Sequence, residues 1–405
     1  MLAAFASWIR RGPLDKLKIL YIQAQEGFGA DAAIHAHLMR ELPRDEFEVH
    51  VACPRARRGE KSQALLELEK IPDVRLHPVT FAPSVSRKST VELLRTAAEG
   101  AAFPVDFARL RNDLARERFA VVHGSDRPRS GLYALGLARL AGAKSVVHVH
   151  VRWSNDYGLP SRLAVARADA VFSISRFVTD SIVATGKPAA RVYTILNGID
   201  VSRWDPDLDG SAVRRQWSIA PDALVLASVS RLFPGKGQRE LLRALALVVR
   251  EVSNVKLLVV GADESWIAFT AELRALALEL GIAEHVIFTG PRSDIPAVMA
   301  AADVFTLPSF EEPFGLVYTE AMAMRRPVVA LDNGGTPEVV EHGRTGLLSP
   351  AGDHHALAAN ILTLLKDPAL RARMGAEGRA RVLTRFSAER MARDAADAYR
   401  RIAGR

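Results

Sequence analysis

The chain has 405 residues, a net charge of +8 at pH 7, 49% hydrophobic residues and 25% charged residues. Because single hydrophobic cores usually divide beyond ~250–300 residues, the length predicts two domains of roughly 200 residues each. The composition is typical of a globular protein, and no apolar run approaches the ~20 residues that a membrane-spanning helix needs. The single cysteine, Cys53, excludes an internal disulfide and a cysteine-rich zinc site, and it suits a cytoplasmic location.

The positive charge is concentrated in the first half of the chain. Residues 1–205 contain 30 Lys and Arg against 22 Asp and Glu, whereas residues 206–405 contain 24 of each kind. A basic field on one domain would attract an anionic partner, such as a phosphorylated or lipid-linked acceptor or an acidic membrane surface. A solvated arginine-rich surface would give the same count. No basic tract with interleaved aromatic residues is present in the sequence, so nucleic acid is not an expected partner.

Residues 1–14 are predicted to be a separate N-terminal segment. Phe5 and Trp8 fall at helical spacing close to Arg10 and Arg11. Because the basic pair follows the apolar residues, the segment does not have the charge order of a secretory signal. It is either an amphipathic helix that holds the protein peripherally at the inner face of the cytoplasmic membrane, or an ordinary docked or disordered terminus.

The first domain opens with a predicted strand, loop and helix. Lys16–Gln23 is predicted to be a buried strand and Asp31–Leu42 an amphipathic helix, and the turn between them contains Gly27, Phe28 and Gly29. The glycines let the backbone approach a ligand, so this turn is a candidate acceptor or phosphate loop. It lacks the full spacing of a dinucleotide-binding loop and is a weak signal alone.

Short apolar strands then recur with helical stretches between them. The predicted strands are Ala120–His123, Ser145–His150, Ala170–Ser173 and Val192–Leu196. Such alternation predicts an α/β fold with a parallel, doubly wound sheet. The first Rossmann-like domain, which is expected to bind the acceptor, is placed at residues 15–200.

The polar residues 197–210, rich in Asp, Pro and Gly, end this series, and the linker is placed at 201–210. A second Rossmann-like domain is placed at residues 211–385, followed by a C-terminal helix at 386–405. The clearest predicted helices of the second domain are Gln238–Val252 and Ile267–Leu280. Its predicted strands are Leu224–Ser228, Val255–Val260, Val286–Phe288, Val304–Leu307 and Pro327–Leu331.

Two cations of the second domain flank a glycine-rich turn. Arg231 and Lys236 lie beside Gly235 and Gly237. Phosphate oxygens are best held by a guanidinium fork, an ammonium group and backbone N–H groups, so the pattern favours a diphosphate site over a basic surface turn. In a closed cleft, these charges would stabilise a departing diphosphate.

A pair of glutamates forms the second part of the candidate site. Glu312 precedes Phe314, Gly315 and Leu316, whose backbone N–H groups lie at the start of a predicted helix and suit an anion or a hydroxyl. Glu320 would reach another part of the same ligand from the first turn of that helix. A glutamate near a helix start is also favourable by itself, by ~0.3–1 kcal/mol.

Two glutamates with seven residues between them resemble the hallmark of the retaining glycosyltransferases of family 4, which are nucleotide-sugar transferases with the GT-B fold. Other segments match the family pattern in the same order, from about Lys18 to Arg401. They are Asn197-Gly198-Ile199-Asp200, Gly334-Gly335-Thr336-Pro337-Glu338 and Gly343-Arg344-Thr345-Gly346-Leu347-Leu348. The resemblance implies two Rossmann-like domains facing across a cleft, with a C-terminal helix that crosses back to the N-terminal domain.

The resemblance also implies roles for site residues. Glu312 and the amides after it would hold the donor sugar, and Glu320 would bind the ribose. His150 matches a family histidine at a strand end near the donor sugar, although a histidine there is equally often a hydrogen-bonded packing residue. The family often follows this histidine with Asp or Gly, whereas Val151 and Arg152 follow it here. A donor phosphate oxygen would take the acceptor proton, so no protein nucleophile is implied.

No metal or other cofactor is expected beside the nucleotide-diphosphate sugar, which is a co-substrate. Asp207 and Asp209 spell an Asp-x-Asp metal signature, but they follow a proline in the polar linker rather than a buried strand. Asp353, His354 and His355 are typical of a helix N-cap and first turn rather than of a metal cluster.

The predicted function is metal-independent, retaining transfer of a hexose-type sugar from a nucleotide-diphosphate sugar to a hydroxyl acceptor, such as a cell-envelope glycolipid or polysaccharide precursor. A glycosidase with Glu312 and Glu320 as its acid and nucleophile is disfavoured, because hydrolysis would not need Arg231 and Lys236. Two alternatives stay open: a nucleotide-sugar epimerase of the same fold, and a non-catalytic membrane-associated binding protein.

Overall fold

The structure is a computed structural model that describes residues 16–55, 60–81, 102–125, 130–263 and 268–405. The N-terminal segment predicted at residues 1–14 lies outside the described residues. The described chain forms two parallel β-sheets, of seven and six strands, with helices on both faces. The predicted α/β fold with two Rossmann-like domains is therefore confirmed.

The sheet of the first domain has the strand order β3-β2-β1-β4-β5-β6-β7, and every described pairing is parallel. Its inner strands are almost fully buried because helices cover both faces, which explains their continuous apolar runs. The strands are β1 Leu17–Ile22, β2 Phe47–Pro54, β3 Val74–Val79, β4 Val121–Gly124, β5 Lys144–Val149, β6 Ala170–Ser173 and β7 Val192–Thr194. The described helices are Ala30–Glu41, Gln63–Leu68, Phe103–Glu117, Gly131–Ala141, Leu159–Arg167 and Arg176–Ala184.

The sheet of the second domain has the order β10-β9-β8-β11-β12-β13 and is parallel throughout its described pairings. Its strands are β8 Leu224–Val229, β9 Val255–Val260, β10 Val286–Gly290, β11 Val304–Leu307, β12 Val328–Leu331 and β13 Gly346–Ser349. The described helices are Ser211–Gln216, Gln238–Val249, Phe269–Glu279, Ile295–Ala301, Leu316–Ala323, Thr336–Val339, His354–Lys366, Pro368–Arg385 and Ala388–Ala403.

Each sheet has one point where the strand order reverses. In the first domain it lies between β1 and β4, and in the second between β8 and β11. Connections that leave neighbouring strands in opposite directions open a crevice at their carboxyl ends, where ligands bind in sheets of this type. The loops after β1, β8 and β11 carry most of the predicted site residues, whereas His150 follows β5 and Glu320 lies in the helix after the β11 loop.

The C-terminal helix Ala388–Ala403 packs against the first domain, as the resemblance implies. Its Tyr399 is fully buried, and the Tyr399 hydroxyl lies 2.9 Å from the Tyr21 hydroxyl and 2.6 Å from Nδ1 of His123. Apolar residues of this helix belong to the same core as β1 and β2. The last residues of the chain thus complete the core of the first domain.

The segment that leads into the linker is held against the start of this helix. The backbone N–H of Ile199 donates to the Phe386 carbonyl at 2.9 Å, and the N–H of Ala388 donates to the Ile199 carbonyl at 2.9 Å. Gly198 lies so close to this crossing that a Cβ at its position would overlap the Ser387 carbonyl. The atoms that this Cβ would meet belong to the backbone of Ser387 and Ala388, so they cannot move aside as a flexible side chain would.

Gly198→Ala should therefore destabilise the protein by about 1–3 kcal/mol, because it forces apart two hydrogen-bonded backbone segments. Gly136→Ala is the matched control, since the added Cβ would lie 3.7 Å from the Phe107 ring, an ordinary contact, inside a helix that favours alanine. Denaturant unfolding of both variants measures the difference. Equal stabilities would contradict the close crossing.

Candidate active site

The loops that follow β8 and β11 interlock at the reversal point of the second sheet. The Phe310 N–H donates to the Gly235 carbonyl at 2.9 Å. Gly237 has a φ of +72°, and a Cβ there would overlap the Pro308 carbonyl. Glycine is required at this position because the two loop backbones touch. The turn that contains Arg231 and Lys236 is thereby fixed beside the Glu312 segment.

Lys236 and Glu312 meet at the centre of this crevice. The Lys236 ammonium lies 2.6 Å from a Glu312 carboxylate oxygen, and the Ser309 hydroxyl donates to the same oxygen at 2.8 Å. The side chains of Lys236 and Glu312 are only 17% and 12% exposed. Charges this shielded interact more strongly than surface pairs, and each orients the other. The ammonium group that could bind a diphosphate and the carboxylate that could bind a hydroxyl are thus directly hydrogen-bonded to each other.

Arg231 and Lys236 both lie near the ring of Phe233. The Arg231 guanidinium carbon lies 5.5 Å from the centroid of the Phe233 ring, and the Lys236 ammonium lies 5.9 Å from that centroid. Both are within the range of cation–π attraction. One aromatic ring therefore positions both predicted cations, a role for Phe233 that the sequence pattern did not indicate.

The segment after Glu312 turns directly into the helix Leu316–Ala323. Gly315 has a φ of +88°, and a Cβ there would overlap the Tyr318 ring. This turn leaves the first backbone N–H groups of the helix without intrahelical acceptors, as a hydroxyl or anion site requires. Phe314 is 1% exposed and packs edge-on against Phe386, so its ring is part of the hydrophobic core.

A third loop supports the Glu312 segment from behind. Gly335 donates its backbone N–H to the Glu312 carbonyl at 2.7 Å. Cβ atoms at Gly334 and Gly335 would both overlap the backbone at Glu312 and Pro313. The two glycines of the Gly334–Glu338 motif are therefore packing requirements of the Glu312 segment.

Glu320 lies in the second turn of the helix that begins at Leu316, not in its first turn as predicted. Its carboxyl is partly buried, and this burial raises the pKa of Glu320 to about 7, while the charge of Arg203 acts in the opposite direction. A carboxyl in this state gains and loses its proton near neutral pH. Glu320 and Leu316 are four residues apart, so they lie on one face of the helix.

His150 directly follows β5, which ends at Val149. It is 8% exposed, and burial lowers its pKa to about 3, so the imidazole is neutral at physiological pH. Its Nδ1 lies 3.8 Å from a carboxylate oxygen of Asp31, in the helix that follows the Gly27–Gly29 turn. The structure thus brings His150 near the predicted acceptor loop at the reversal point of the first sheet.

The turn itself is open. Gly27 and Gly29 are exposed, and Cβ atoms at these positions would meet no atom within 4 Å. Phe28 is half-buried against the core of the first domain, which holds the turn in place. The turn has room to accept a ligand, but its backbone does not require glycine in the way that Gly237 and Gly315 do.

Contacts between the domains flank the predicted site, and the sequence analysis missed all of them. Arg152 pairs with Glu311 at 2.8 Å, next to Glu312 and two residues after His150. The Ser175 hydroxyl donates to the Pro313 carbonyl at 2.6 Å. These contacts hold the His150 side of the cleft against the Glu312 loop. Only the unusual Arg152 after His150 gave a signal in the sequence.

Glu338 makes the third interdomain contact. Its carboxylate accepts the backbone N–H groups of Arg176 and Phe177 at 2.7 and 2.8 Å. These N–H groups belong to the first turn of the helix Arg176–Ala184, where a negative charge is stabilising. A motif glutamate of the second domain thus caps a helix of the first.

The two sequence features that resembled metal ligands have other roles. Asp207 pairs with Arg325, and Asp209 accepts hydrogen bonds from the backbone and hydroxyl of Ser211. Asp353 accepts a hydrogen bond from the backbone N–H of Ala356 as the N-cap of the helix His354–Lys366, as predicted. Neither feature gathers carboxylates around one point.

Known families match both domains. The family model described as Glycosyl transferases group 1 matches residues 210–381, and the model described as Glycosyltransferase Family 4 matches residues 34–203. Together with two Rossmann-like sheets and a site at the reversal point, these matches define a glycosyltransferase of the GT-B class. The chain belongs to glycosyltransferase family 4.

Several characterised proteins are similar to this chain. The GDP-mannose-dependent alpha-(1-6)-phosphatidylinositol monomannoside mannosyltransferase of Mycolicibacterium smegmatis is 38% identical over 261 residues, which are 60% of this chain and 66% of the relative. The protein of the same name from Mycobacterium tuberculosis is 34% identical over 281 residues, or 65% and 71% of the two chains. Anabaena HepE in complex with UDP and glucose has a TM-score of 0.75 at 26% identity, over 94% of this chain and 99% of that chain. Within the described ranges, no helix has the length and apolar character that crossing a membrane requires.

The raised pKa of Glu320 gives a stability prediction. The folded protein holds this proton more tightly than the unfolded chain, so stability is lost as pH rises from about 4.5 to about 7. Glu320→Gln removes the cost of burying an ionised carboxylate. It should therefore stabilise the protein by roughly 1–3 kcal/mol at pH 8 but not at pH 4.5.

Denaturant unfolding at the two pH values measures this difference. Glu279→Gln, an exposed site in the helix Phe269–Glu279, is the matched control and should change stability by less than about 0.5 kcal/mol at either pH. A Glu320→Gln variant that is less stable than the wild type at pH 8 would contradict the burial of this carboxyl.

Proposed function

We propose that this glycosyltransferase moves a hexose-type sugar from a nucleotide-diphosphate donor to a hydroxyl acceptor with retention of the anomeric configuration and without a metal ion. The observation that supports this proposal most is the contact of Lys236 with Glu312 where the β8 and β11 loops meet. A diphosphate joined to a sugar needs a cation for its phosphate oxygens beside a side chain that accepts hydrogen bonds from the sugar hydroxyls. This pair offers both at the reversal point of a parallel sheet.

The donor diphosphate is assigned to Arg231, Lys236 and the backbone around Gly235. As the bond between the anomeric carbon and the phosphate oxygen breaks, negative charge grows on the diphosphate and positive charge grows on the sugar. Two preorganised cations oriented by the Phe233 ring stabilise the first charge without reorganisation. This role is the one a divalent cation would otherwise perform, which supports transfer without a metal.

The donor sugar is assigned to Glu312 and to the amides of Phe314, Gly315 and Leu316, and the ribose to Glu320. Glu312 already bonds to Lys236 and to Ser309, so its charge is neutralised and it is a poor nucleophile. We therefore assign it to binding a sugar hydroxyl. In the transfer step the acceptor oxygen bonds to the anomeric carbon on the face that the phosphate leaves, and a phosphate oxygen takes the acceptor proton.

His150 is assigned to the same reaction centre from the first domain. A neutral imidazole does not repel the positive charge that develops on the sugar, whereas an imidazolium would. The Arg152–Glu311 and Ser175–Pro313 contacts hold this histidine close to the Glu312 loop. Closure of the cleft would also exclude water, a competing acceptor.

The acceptor is proposed to be anionic or lipid-linked and the protein to work at the cytoplasmic face of a membrane. Neighbouring helices of the first domain, Phe103–Glu117, Gly131–Ala141 and Leu159–Arg167, expose basic and apolar side chains together. The exposed residues include Arg109, Arg116, Arg162, Arg167, Val105, Leu140, Leu159 and Leu163. Such a surface suits anionic lipid head groups. Two relatives are named for GDP-mannose and a phosphatidylinositol monomannoside, in agreement with this class of substrates.

The direct test incubates the protein with a panel of nucleotide-diphosphate sugars and a glycolipid acceptor, with and without a chelator. We expect release of the nucleoside diphosphate, a product with the anomeric configuration of the donor, and no loss of rate with the chelator. An inverted product or a chelator-sensitive rate would contradict the proposed mechanism. Conversion of the donor to another sugar without acceptor would instead reveal an epimerase.

The same assay tests the assigned residues. Lys236→Ala and Glu312→Gln should each lower kcat/KM by about 100-fold or more, because each removes a preorganised polar contact of the transition state. Lys366→Ala and Glu251→Gln are matched controls, since this exposed ion pair of the same domain is remote from the interlocked loops. Wild-type turnover in either site variant would overturn the assignments.

A further inference from the structure

Four histidines of the first domain are buried together next to the proposed acceptor side of the cleft. His35 lies in the helix Ala30–Glu41, His123 in β4, His148 in β5 and His150 just after it. They are between 0% and 8% exposed. The ring centroid of His35 lies 4.8 Å from that of His148, 5.6 Å from that of His123 and 5.0 Å from that of His150. Burial on this scale is unusual for a polar ring unless the ring has a specific partner.

Several ring nitrogens in this cluster have no hydrogen-bond partner. They are Nε2 of His123, Nε2 of His148 and both nitrogens of His150. A neutral imidazole ring keeps one lone pair on the nitrogen that carries no proton, and this lone pair can bind a metal ion. A buried polar atom without a partner is energetically costly, and a bound ion or water is a common explanation.

The outer hydrogen bonds of the cluster orient its lone pairs inward. Nδ1 of His35 lies 2.8 Å from the Asp31 carbonyl oxygen, so Nδ1 carries the proton and Nε2 carries the lone pair. Nδ1 of His123 lies 2.6 Å from the Tyr399 hydroxyl, which leaves Nε2 as the inner nitrogen. Histidines that bind metals are usually fixed in this way through the other ring nitrogen.

We propose that His35, His123 and His148 form a binding site for one transition-metal ion of the zinc class. One ring nitrogen from each lies within 4.8 Å of the other two. Nε2 of His35 accepts a hydrogen bond from Nδ1–H of His148 at 2.9 Å, and a bound ion would replace this proton, which would move to the unpartnered Nε2 of His148. Zinc–nitrogen bonds of ~2.0–2.1 Å place ligand nitrogens about 3.3 Å apart, so small ring rotations would complete three bonds. Neutral imidazoles suit zinc, copper, nickel and cobalt but not magnesium or calcium.

A second group of similar residues shows why this cluster differs from an ordinary polar patch. Ligand atoms of Glu48, His50 and Glu117 also lie within 4.8 Å of one another. Lys18 lies 2.7 Å from Glu117, however, and Arg75 lies 3.0 Å from Glu48, so two side-chain cations already occupy these carboxylates. In the described structure, no Lys or Arg hydrogen bond or ion pair reaches His35, His123 or His148.

A metal ion at this site would inhibit transfer, and this consequence rests on the proposed function. The rings of His148 and His150 lie 4.3 Å apart, so the ion would add positive charge beside the residue assigned to the reaction centre. The donor sugar also becomes positive in the transition state, and like charges in a shielded site raise its energy. The site is therefore inhibitory rather than a source of catalytic power.

Cobalt is the probe for the site because a Co²⁺ ion held by histidine nitrogens in four-coordinate geometry absorbs visible light, whereas Zn²⁺ is silent. The full chain, freed of metal with a chelator, is titrated with Co²⁺ and then with Zn²⁺. We expect one equivalent of Co²⁺ to bind with a Kd of about 1 µM or tighter, and Zn²⁺ to displace it. His35→Gln, His123→Gln and His148→Gln should each weaken binding by about 10-fold to 100-fold or more.

His50→Gln is the matched control, since it alters a buried histidine of the other cluster and should leave the Co²⁺ spectrum unchanged. Retained thermal stabilisation by a nucleotide-sugar donor checks that each variant is folded. Absence of the Co²⁺ absorption in the wild type would overturn the proposed metal site. So would its persistence in a variant that carries all three histidine substitutions. Failure of the transferase assay with Co²⁺ binding intact would remove the proposed function and the inhibition, but not the metal site.

Discussion

The contact between Lys236 and Glu312 is the interaction on which the candidate site depends. It exists because two loops leave the reversal point of a parallel sheet and touch through Gly237 and the Pro308 carbonyl, with no room for a side chain. The pair is only partly exposed, so each charge orients the other and Ser309 fixes the carboxylate. A donor diphosphate would compete for Lys236 and release Glu312 towards the sugar. In the function proposed above, the same pair would prepare both halves of the donor site.

The rest of the molecule holds this pair against the first domain. Glu338 caps a helix across the interface, Arg152 bonds to Glu311, and the C-terminal helix places Tyr399 under β1 and β4. The Glu338 and Arg152 contacts join the two domains beside the candidate site. The buried histidines around His150 are neutral, which avoids positive charge where the sugar would become cationic.

The sequence was sufficient for features that depend on local pattern. Apolar strand runs predicted both parallel sheets. Gly235 and Gly237 indicated a phosphate-binding turn, whereas the close approach of two loop backbones that requires glycine at Gly237 is seen only in the structure. Edge strand β3 was not predicted, since Arg75 and His77 break its apolar run. The histidine cluster was also missed: His35, His123 and His148 are far apart in the chain, and they meet only because β1, β4 and β5 are neighbours in the sheet. Interdomain contacts such as Ser175 with Pro313 depend on domain placement and leave no local pattern.

A crystal structure with an intact nucleotide-sugar donor is the most direct measurement of the central claim. We expect diphosphate oxygens within about 3 Å of the Arg231 guanidinium and the Lys236 ammonium, with the Glu312 carboxylate bonded to a sugar hydroxyl. A donor bound elsewhere, with the Lys236–Glu312 pair undisturbed, would contradict it.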